Sequence, residues 1–373
     1  MTKSTFIPVS QPFIDDRAKD LVLDCLNTGW ISSQGEYVAR FESEFANYVG
    51  AQFAISVTSG TAALHLALMA LNIGPGDEVI VPDLTFAATA NAVLLCGAKP
   101  ILCGVDQATW TIDIEDCRAL IGPATKAIIP VHLYGNPADM NALLSLASMH
   151  NIEVIEDCAE SLGASLQQKS TGTIGTIGCY SFFANKLLST GEGGMLTTDN
   201  PELANKIRIL RDHGMSPDKR YWHDFAGLNY RMTNIQAAIG VAQLALLDEF
   251  TALRTRQESI YTEMLSHLPS IRFKKVIDGA IPVNWLMSVQ VTSRDETQTA
   301  SALHKWLKRY NVDSRPFFYP LHEQPPYRDE RDALKATRFL SQSGLSLPTF
   351  IGLKDEQIVY ICQLITQFMG IRG

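Results

Sequence analysis

The sequence has no Cys-x-x-C pair, no apolar run long enough to cross a bilayer, no internal repeat and no low-complexity tract. Its seven cysteines, Cys25, Cys96, Cys103, Cys117, Cys158, Cys179 and Cys362, are odd in number and scattered. That argues against a disulfide framework or a zinc site and fits buried free thiols in a reducing compartment. Positive charge is also in short supply: 31 Lys and Arg stand against 39 Asp and Glu, a formal net charge of -8. This removes the electrostatic footprint of a nucleic-acid or anionic-membrane binder. An anionic ligand would need basic residues gathered locally. The opening residues, Met-Thr-Lys-Ser-Thr-Phe-Ile-Pro, carry no apolar signal region. The expectation is a soluble cytoplasmic protein with no metal centre and no nucleic-acid or membrane partner.

What is present is core material. The 373 residues are 46% hydrophobic and 19% charged, a globular composition sufficient for a large domain and a smaller one. Strand and helix patterns alternate from residue 53 onward. Phe53–Val57, Glu78–Pro82, Lys99–Val105, Ala127–Val131 and Ile152–Cys158 read as strands. Helices are expected at Ala62–Leu71, Thr85–Leu95, Asp113–Leu120 and Ala138–His150, after two earlier ones at Asp15–Leu26 and Gln34–Tyr48. Such alternation predicts crossover units, a mostly parallel sheet and an α/β fold with helices on both faces. A long helix from Asn234 to about Phe250, extending toward Leu268, leads into a second alternating region. We place a large α/β domain at 1–250 and a small α+β domain at 251–373.

Three local patterns carry chemistry. Thr58-Ser59-Gly60-Thr61 joins a strand to a helix start. Free N–H groups and the helix dipole favour an anion there, although an ordinary N-cap has the same sequence. Glu156 and Asp157 sit at the C-terminal end of the strand Ile152–Cys158, which places Asp157 to meet a ligand. In open α/β sheets that is where ligands bind; a helix N-cap is the competing reading. Lys186 follows the apolar run Ser181-Phe182-Phe183 and precedes the glycine-rich turn Gly191-Glu192-Gly193-Gly194. Desolvation there would lower its pKa and make its amine a nucleophile, whereas a strand-end lysine can also simply reach water.

Pyridoxal 5'-phosphate needs all three features: a helix N-terminus for its phosphate, a carboxylate for its pyridine nitrogen and a lysine for its aldehyde. Phe86, at the next helix start, could stack on the ring. The glycines behind Lys186 are better read as backbone geometry than as a phosphate cradle.

The chain resembles the nucleotide-sugar aminotransferases of the DegT/DnrJ/EryC1/StrS type, which are fold-type I pyridoxal-phosphate enzymes. The resemblance runs over essentially the whole length. It rests on Thr28-Gly29-Trp30-Ile31-Ser32-Ser33, Thr58-Ser59-Gly60-Thr61, Pro130-Val131-His132-Leu133-Tyr134-Gly135 and Glu156-Asp157-Cys158-Ala159-Glu160. The Ser181–Met195 run, Arg220-Tyr221-Trp222, Asn229–Ala238 and Arg315-Pro316 through His322 complete it. It implies that Lys186 forms the Schiff base and moves protons, and that Asp157 pairs with the pyridinium. Glu160 would lie near the ring hydroxyl, where some members carry Gln or His. Gly60, Thr61 and Ser181 would hold the phosphate, Ser59 and Asn185 would also bind the cofactor, and Phe86 would stack on the ring. Asn229 would reach the cofactor of a neighbouring subunit, making a homodimer with shared sites. Tyr221, Trp222, Arg231 and His322 would border the substrate. The implied reaction takes an amine from glutamate to a keto-sugar nucleotide. GDP-4-keto-6-deoxymannose is the best match, and a UDP-, dTDP- or CMP-linked keto-sugar or a keto-sugar acid is the alternative. A lysine at 186, where related sugar 3-dehydratases carry histidine, implies amino transfer.

Overall fold

The computed structural model describes residues 6–331 and 334–370. Two helices open the chain, α1 (Asp16–Thr28) and α2 (Glu36–Val49). Asp15 caps α1 by accepting the Ala18 N–H at 2.8 Å, and Gly29 ends it in the left-handed region. The alternating core follows: β1 (Phe53–Val57), α3 (Gly60–Ala70), β2 (Glu78–Pro82), α4 (Ala88–Leu95), β3 (Lys99–Cys103), α5 (Ile114–Leu120), β4 (Thr125–Ile128), α6 (Met140–His150) and β5 (Glu153–Asp157). After the two-residue strands β6 (Ser165–Leu166) and β7 (Lys169–Ser170) come β8 (Ile177–Ser181), β9 (Gly194–Thr198) and α7 (Pro201–Arg211).

Seven strands form the main sheet in the order β1-β9-β8-β5-β4-β2-β3. The run from β8 to β3 is parallel, and β9 is antiparallel to both of its neighbours. Side chains alternate along each strand, so one strand serves two cores. Val79 and Val81 pack with α3 and α4, whereas Ile80 between them packs with Cys117 of α5 and Leu143 of α6. Helix α3 is buried nearly all round, as an apolar helix laid against a sheet must be. The α/β expectation, with a mostly parallel sheet between helices, is met.

The long helix expected from Asn234 is two helices, α8 (Asn234–Leu244) and α9 (Leu247–Leu265). Thr233 and Gln236 form a capping box at the start of α8. Asp248 and Glu249 stand in the first turn of α9, where the dipole favours carboxylates. Residue 250, the boundary drawn from the sequence, falls inside α9. Leu247 and Phe250 pack with α2 and α8, while Tyr261 and Leu265 pack in a second core.

The rest of the chain supplies β10 (Ile271–Arg272), β11 (Ala280–Ile281), β12 (Met287–Val291), α10 (Ala300–Arg309), β13 (Arg315–Pro316), α11 (Lys335–Ser343), β14 (Gly344–Leu347) and α12 (Asp355–Phe368), of which β10, β12, α10, β14 and α12 form that second core. An antiparallel sheet runs β10-β12-β14-β13, and β11 pairs with β6 instead. Ile7 joins this core and bridges to Val312, so the first residues described belong with the last.

Candidate active site

The C-terminal ends of β2, β4, β5 and β8 point to one edge of the main sheet. There they deliver Thr85 and Phe86, Val131, Asp157 and Ser181 to a cavity of about 420 Å³. The start of α3 adds Ser59, Gly60 and Thr61, and the loop after β8 adds Asn185 and Lys186. Trp285, Arg315 and Phe318 close the cavity from the C-terminal sheet side.

Lys186 is poorly exposed, with its ammonium 3.8 Å from the centroid of the Trp285 ring and 3.7 Å from Glu160 Oε1. Burial lowers its pKa, against the pull of Glu160 and Asp157 toward the charged form. The Trp285 indole N–H donates to the Asn185 carbonyl at 2.7 Å, tying the lysine loop to the ring beneath its amine. Asp157 is buried. Its Oδ2 accepts from the Thr89 hydroxyl at 2.9 Å and its Oδ1 from the Ala159 N–H at 3.1 Å. No helix follows it, so the N-cap alternative for Asp157 falls away. Burial raises its pKa, opposed by those hydrogen bonds, Lys186 and His132. Glu160 is buried too, and its Oε2 accepts the Tyr134 N–H at 2.8 Å. Burial pushes its carboxyl up to about 7, with Lys186 pulling the other way.

Close backbone approach shapes the anion end. Ser59 caps α3 by accepting the Ala62 N–H at 3.1 Å, which leaves Gly60 and Thr61 in its first turn facing the cavity. A Cβ on Gly60 would lie 2.8 Å from the Ser181 Cβ, and one on Gly194 would lie 2.5 Å from the Ser59 carbonyl oxygen. The glycine turn therefore lets β9 and the lysine loop press against the start of α3.

Residues 12–366 match the model of the DegT/DnrJ/EryC1/StrS aminotransferase family. The chain belongs to this family. It is 45% identical to GDP-perosamine synthase of Caulobacter vibrioides over 97% of this chain and 98% of that one. To the GDP-perosamine synthase of Escherichia coli O157:H7 it is 40% identical, with 97% and 98% covered. Among solved structures, the aminotransferase from Psychrobacter cryohalolentis superposes with a TM-score of 0.92 at 30% identity, covering 99% of this chain and 100% of that one.

As a DegT/DnrJ/EryC1/StrS aminotransferase the protein depends on pyridoxal phosphate. The cavity fits that group: an open helix start lined by hydroxyls and glycine, a buried carboxylate at a strand end and a desolvated lysine. Ser59, Gly60, Thr61, Phe86, Asp157, Glu160, Ser181, Asn185 and Lys186 all line it. Phe86 lies just before α4 rather than within it, and its ring is exposed, 5.8 Å from that of Phe318.

Five expected residues lie elsewhere. Asn229, Tyr221 and Trp222 are exposed, with Lys219 stacked on Trp222 and Arg220 on Tyr221. Arg231 is ion-paired with Asp212. His322 is buried with its Nδ1 2.7 Å from Asp83 Oδ2, and its N–H donates to Asp83 Oδ1 at 2.8 Å. Conversely, Trp285, Arg315, Phe318, Thr89 and Tyr134 shape the site although none was given a role in it; Tyr134 and Arg315 stood only within motifs of the resemblance. A tryptophan before a strand or an arginine before a proline carries no local signal of a cavity 100 residues away. Helices long and apolar enough to cross a membrane are absent among the described residues.

Proposed function

We propose that this enzyme transfers the amino group of glutamate to a keto-sugar nucleotide, and that the acceptor is GDP-4-keto-6-deoxymannose, giving GDP-perosamine for a surface polysaccharide such as an O-antigen. The observation that carries the reading is end-to-end similarity to two GDP-perosamine synthases, at 45% and 40% identity, combined with a desolvated lysine in the cavity.

Bound pyridoxal phosphate supplies an aldehyde that takes up the amine and a ring that withdraws electrons from the reacting carbon. The roles of the protein follow from its charges and donors. Asp157, the buried carboxylate at the end of β5, would hold the ring nitrogen and favour a proton on it. Lys186 carries a proton to and from the substrate carbon, and desolvation favours the neutral amine this needs. Trp285 and Glu160 hold that amine in place. Gly60 and Thr61 offer N–H groups, and Ser59, Ser181 and Asn185 add polar side chains, to the phosphate. Phe86 would stack on the ring.

Asn229, Tyr221, Trp222 and Arg231 do not line the cavity of their own chain, which supports a homodimer in which they serve the site of a second copy. We assign His322 to structure, since its ring is committed to Asp83. The reaction would run in the cytoplasm, where nucleotide sugars are made. A panel of GDP-, UDP-, dTDP- and CMP-linked keto-sugars, incubated with glutamate and enzyme, tests the choice. The mass of an aminated product is expected from GDP-4-keto-6-deoxymannose. Its absence there, with product from another nucleotide, would reject this acceptor and leave the transaminase intact.

A further inference from the structure

Lys274 lies between β10 and β11, outside the cavity, yet its side chain points inward and the residue is only 9% exposed. Its ammonium donates to the Tyr134 carbonyl at 2.9 Å and contacts Asn284 Oδ1. Among the described residues no carboxylate lies within ion-pair range of it. A buried ammonium held by neutral oxygens alone is costly, and desolvation brings its pKa down to about 8.

The carbonyl it holds belongs to an unusual residue. Tyr134 has φ 50° and ψ 31°, a left-handed conformation that costs a non-glycine residue about 1 kcal/mol or more. Its ring is boxed by Phe317, Phe318 and Trp285. That conformation turns the Tyr134 N–H toward Glu160 Oε2, 2.8 Å away, while the other oxygen of Glu160 lies 3.7 Å from Lys186. One line of contacts thus runs from Lys274 through the carbonyl and N–H of one strained residue, Tyr134, and a buried carboxylate to the amine in the cavity.

We propose that Lys274 is a positioning residue for Lys186, acting through the Tyr134 backbone and Glu160. The inference rests on the reading of Lys186 as the cofactor lysine. The groups that act on Lys186 are Glu160, Asp157 and Arg315; those on Glu160 are Lys186 and Asp157; those on Lys274 are Glu160 and Glu258. Removing Lys274 frees Tyr134 and withdraws its N–H from Glu160. Glu160 then loses a hydrogen bond that favours its charged form and a nearby positive charge, so it stays protonated to higher pH. A neutral Glu160 no longer favours a positive charge at the nitrogen of Lys186. That charge is therefore lost at lower pH.

The test is a pH titration of the visible absorption of the cofactor-loaded enzyme. Lys274→Met is expected to lower the midpoint by about half a pH unit or more, and to have no such effect when Glu160→Gln is already present. An unchanged midpoint in Lys274→Met, or the same shift with and without Glu160, overturns the relay. If Lys274→Met does not fold, Lys274→Ala, which also leaves the Tyr134 carbonyl without its side-chain donor, is carried through the same comparison with the same criteria. Absence of a cofactor band in the wild type, or its survival in Lys186→Ala, would instead reject the cofactor reading on which the inference rests.

Discussion

Gly194→Ala tests the claim that the glycine turn exists to bring the lysine loop against the start of α3. Gly194 is the first residue of β9, paired with Val57 of β1 on one side and Ser181 of β8 on the other. An added Cβ would meet the Ser59 carbonyl oxygen at 2.5 Å, its carbon at 2.6 Å and the Tyr180 carbonyl oxygen at 2.8 Å. These are roughly an ångström short of ordinary contact. All three are backbone atoms, so no rotamer change relieves them. Overpacking of this kind costs about 1–3 kcal/mol, and relief moves Ser59 and Gly60, the residues assigned to the phosphate. Gly191 in the same turn is the control: its φ is 82°, but a Cβ there meets nothing within 4 Å. Gly191→Ala should cost about 1 kcal/mol of stability through backbone strain alone. Titration of pyridoxal phosphate, followed by visible absorption, should show Gly194→Ala binding about tenfold or more weaker, equivalent to about 1.4 kcal/mol. Gly191→Ala should bind nearly as the wild type does. Equal affinities for the two variants, or wild-type affinity in Gly194→Ala, would refute the reasoning.

Further outcomes follow from the same geometry. Glu156 is fully buried and accepts the N–H groups of Gly172, Ile174 and Gly175 at 2.8, 2.7 and 2.6 Å, with His132 Nε2 at 3.0 Å. Glu156→Ala should lose about 3–5 kcal/mol in denaturant unfolding; a loss under about 1 kcal/mol would contradict this. His322→Ala should lower the melting temperature, because it strands the buried Asp83, and leave the KM for the acceptor unchanged. A raised KM at unchanged stability would return His322 to the substrate site. Trp285→Leu removes the ring beneath Lys186 and a donor to the Asn185 carbonyl. A cation–π contact of about 0.5–1 kcal/mol should then leave Lys186 deprotonating at about half a unit lower pH in the cofactor-free protein. Peptide-resolved acetylation rates against pH measure this, and an unchanged profile would discount the ring's effect.

Much of the cofactor half of the site was legible because its residues sit where local pattern meets sheet geometry. Ser59, Asp157 and Lys186 each follow a recognisable strand or precede a recognisable helix, and the parallel order of β2, β4, β5 and β8 gathers them. The rest of the wall comes from far along the chain. Trp285 stands two residues before β12, and its indole turns to the lysine loop. Tyr134 matters through a left-handed backbone that nothing in its residue type announces. The inner strand β14 is only four residues long, and its polar Ser346 is buried, hydrogen-bonded to Ser288 at 2.9 Å. The break between α8 and α9 has no glycine or proline to mark it. His322 shows the other side: a histidine in a family motif, expected to border the substrate, has its Nδ1 against the buried Asp83.

The central claim is that the cofactor is joined to the amine of Lys186. Borohydride reduction of the pyridoxal-phosphate-loaded enzyme, followed by peptide mass mapping, tests it most directly. The account predicts one modified peptide, the one containing Lys186, carrying the mass of the reduced cofactor. Modification at another lysine such as Lys274, or at none, would contradict it.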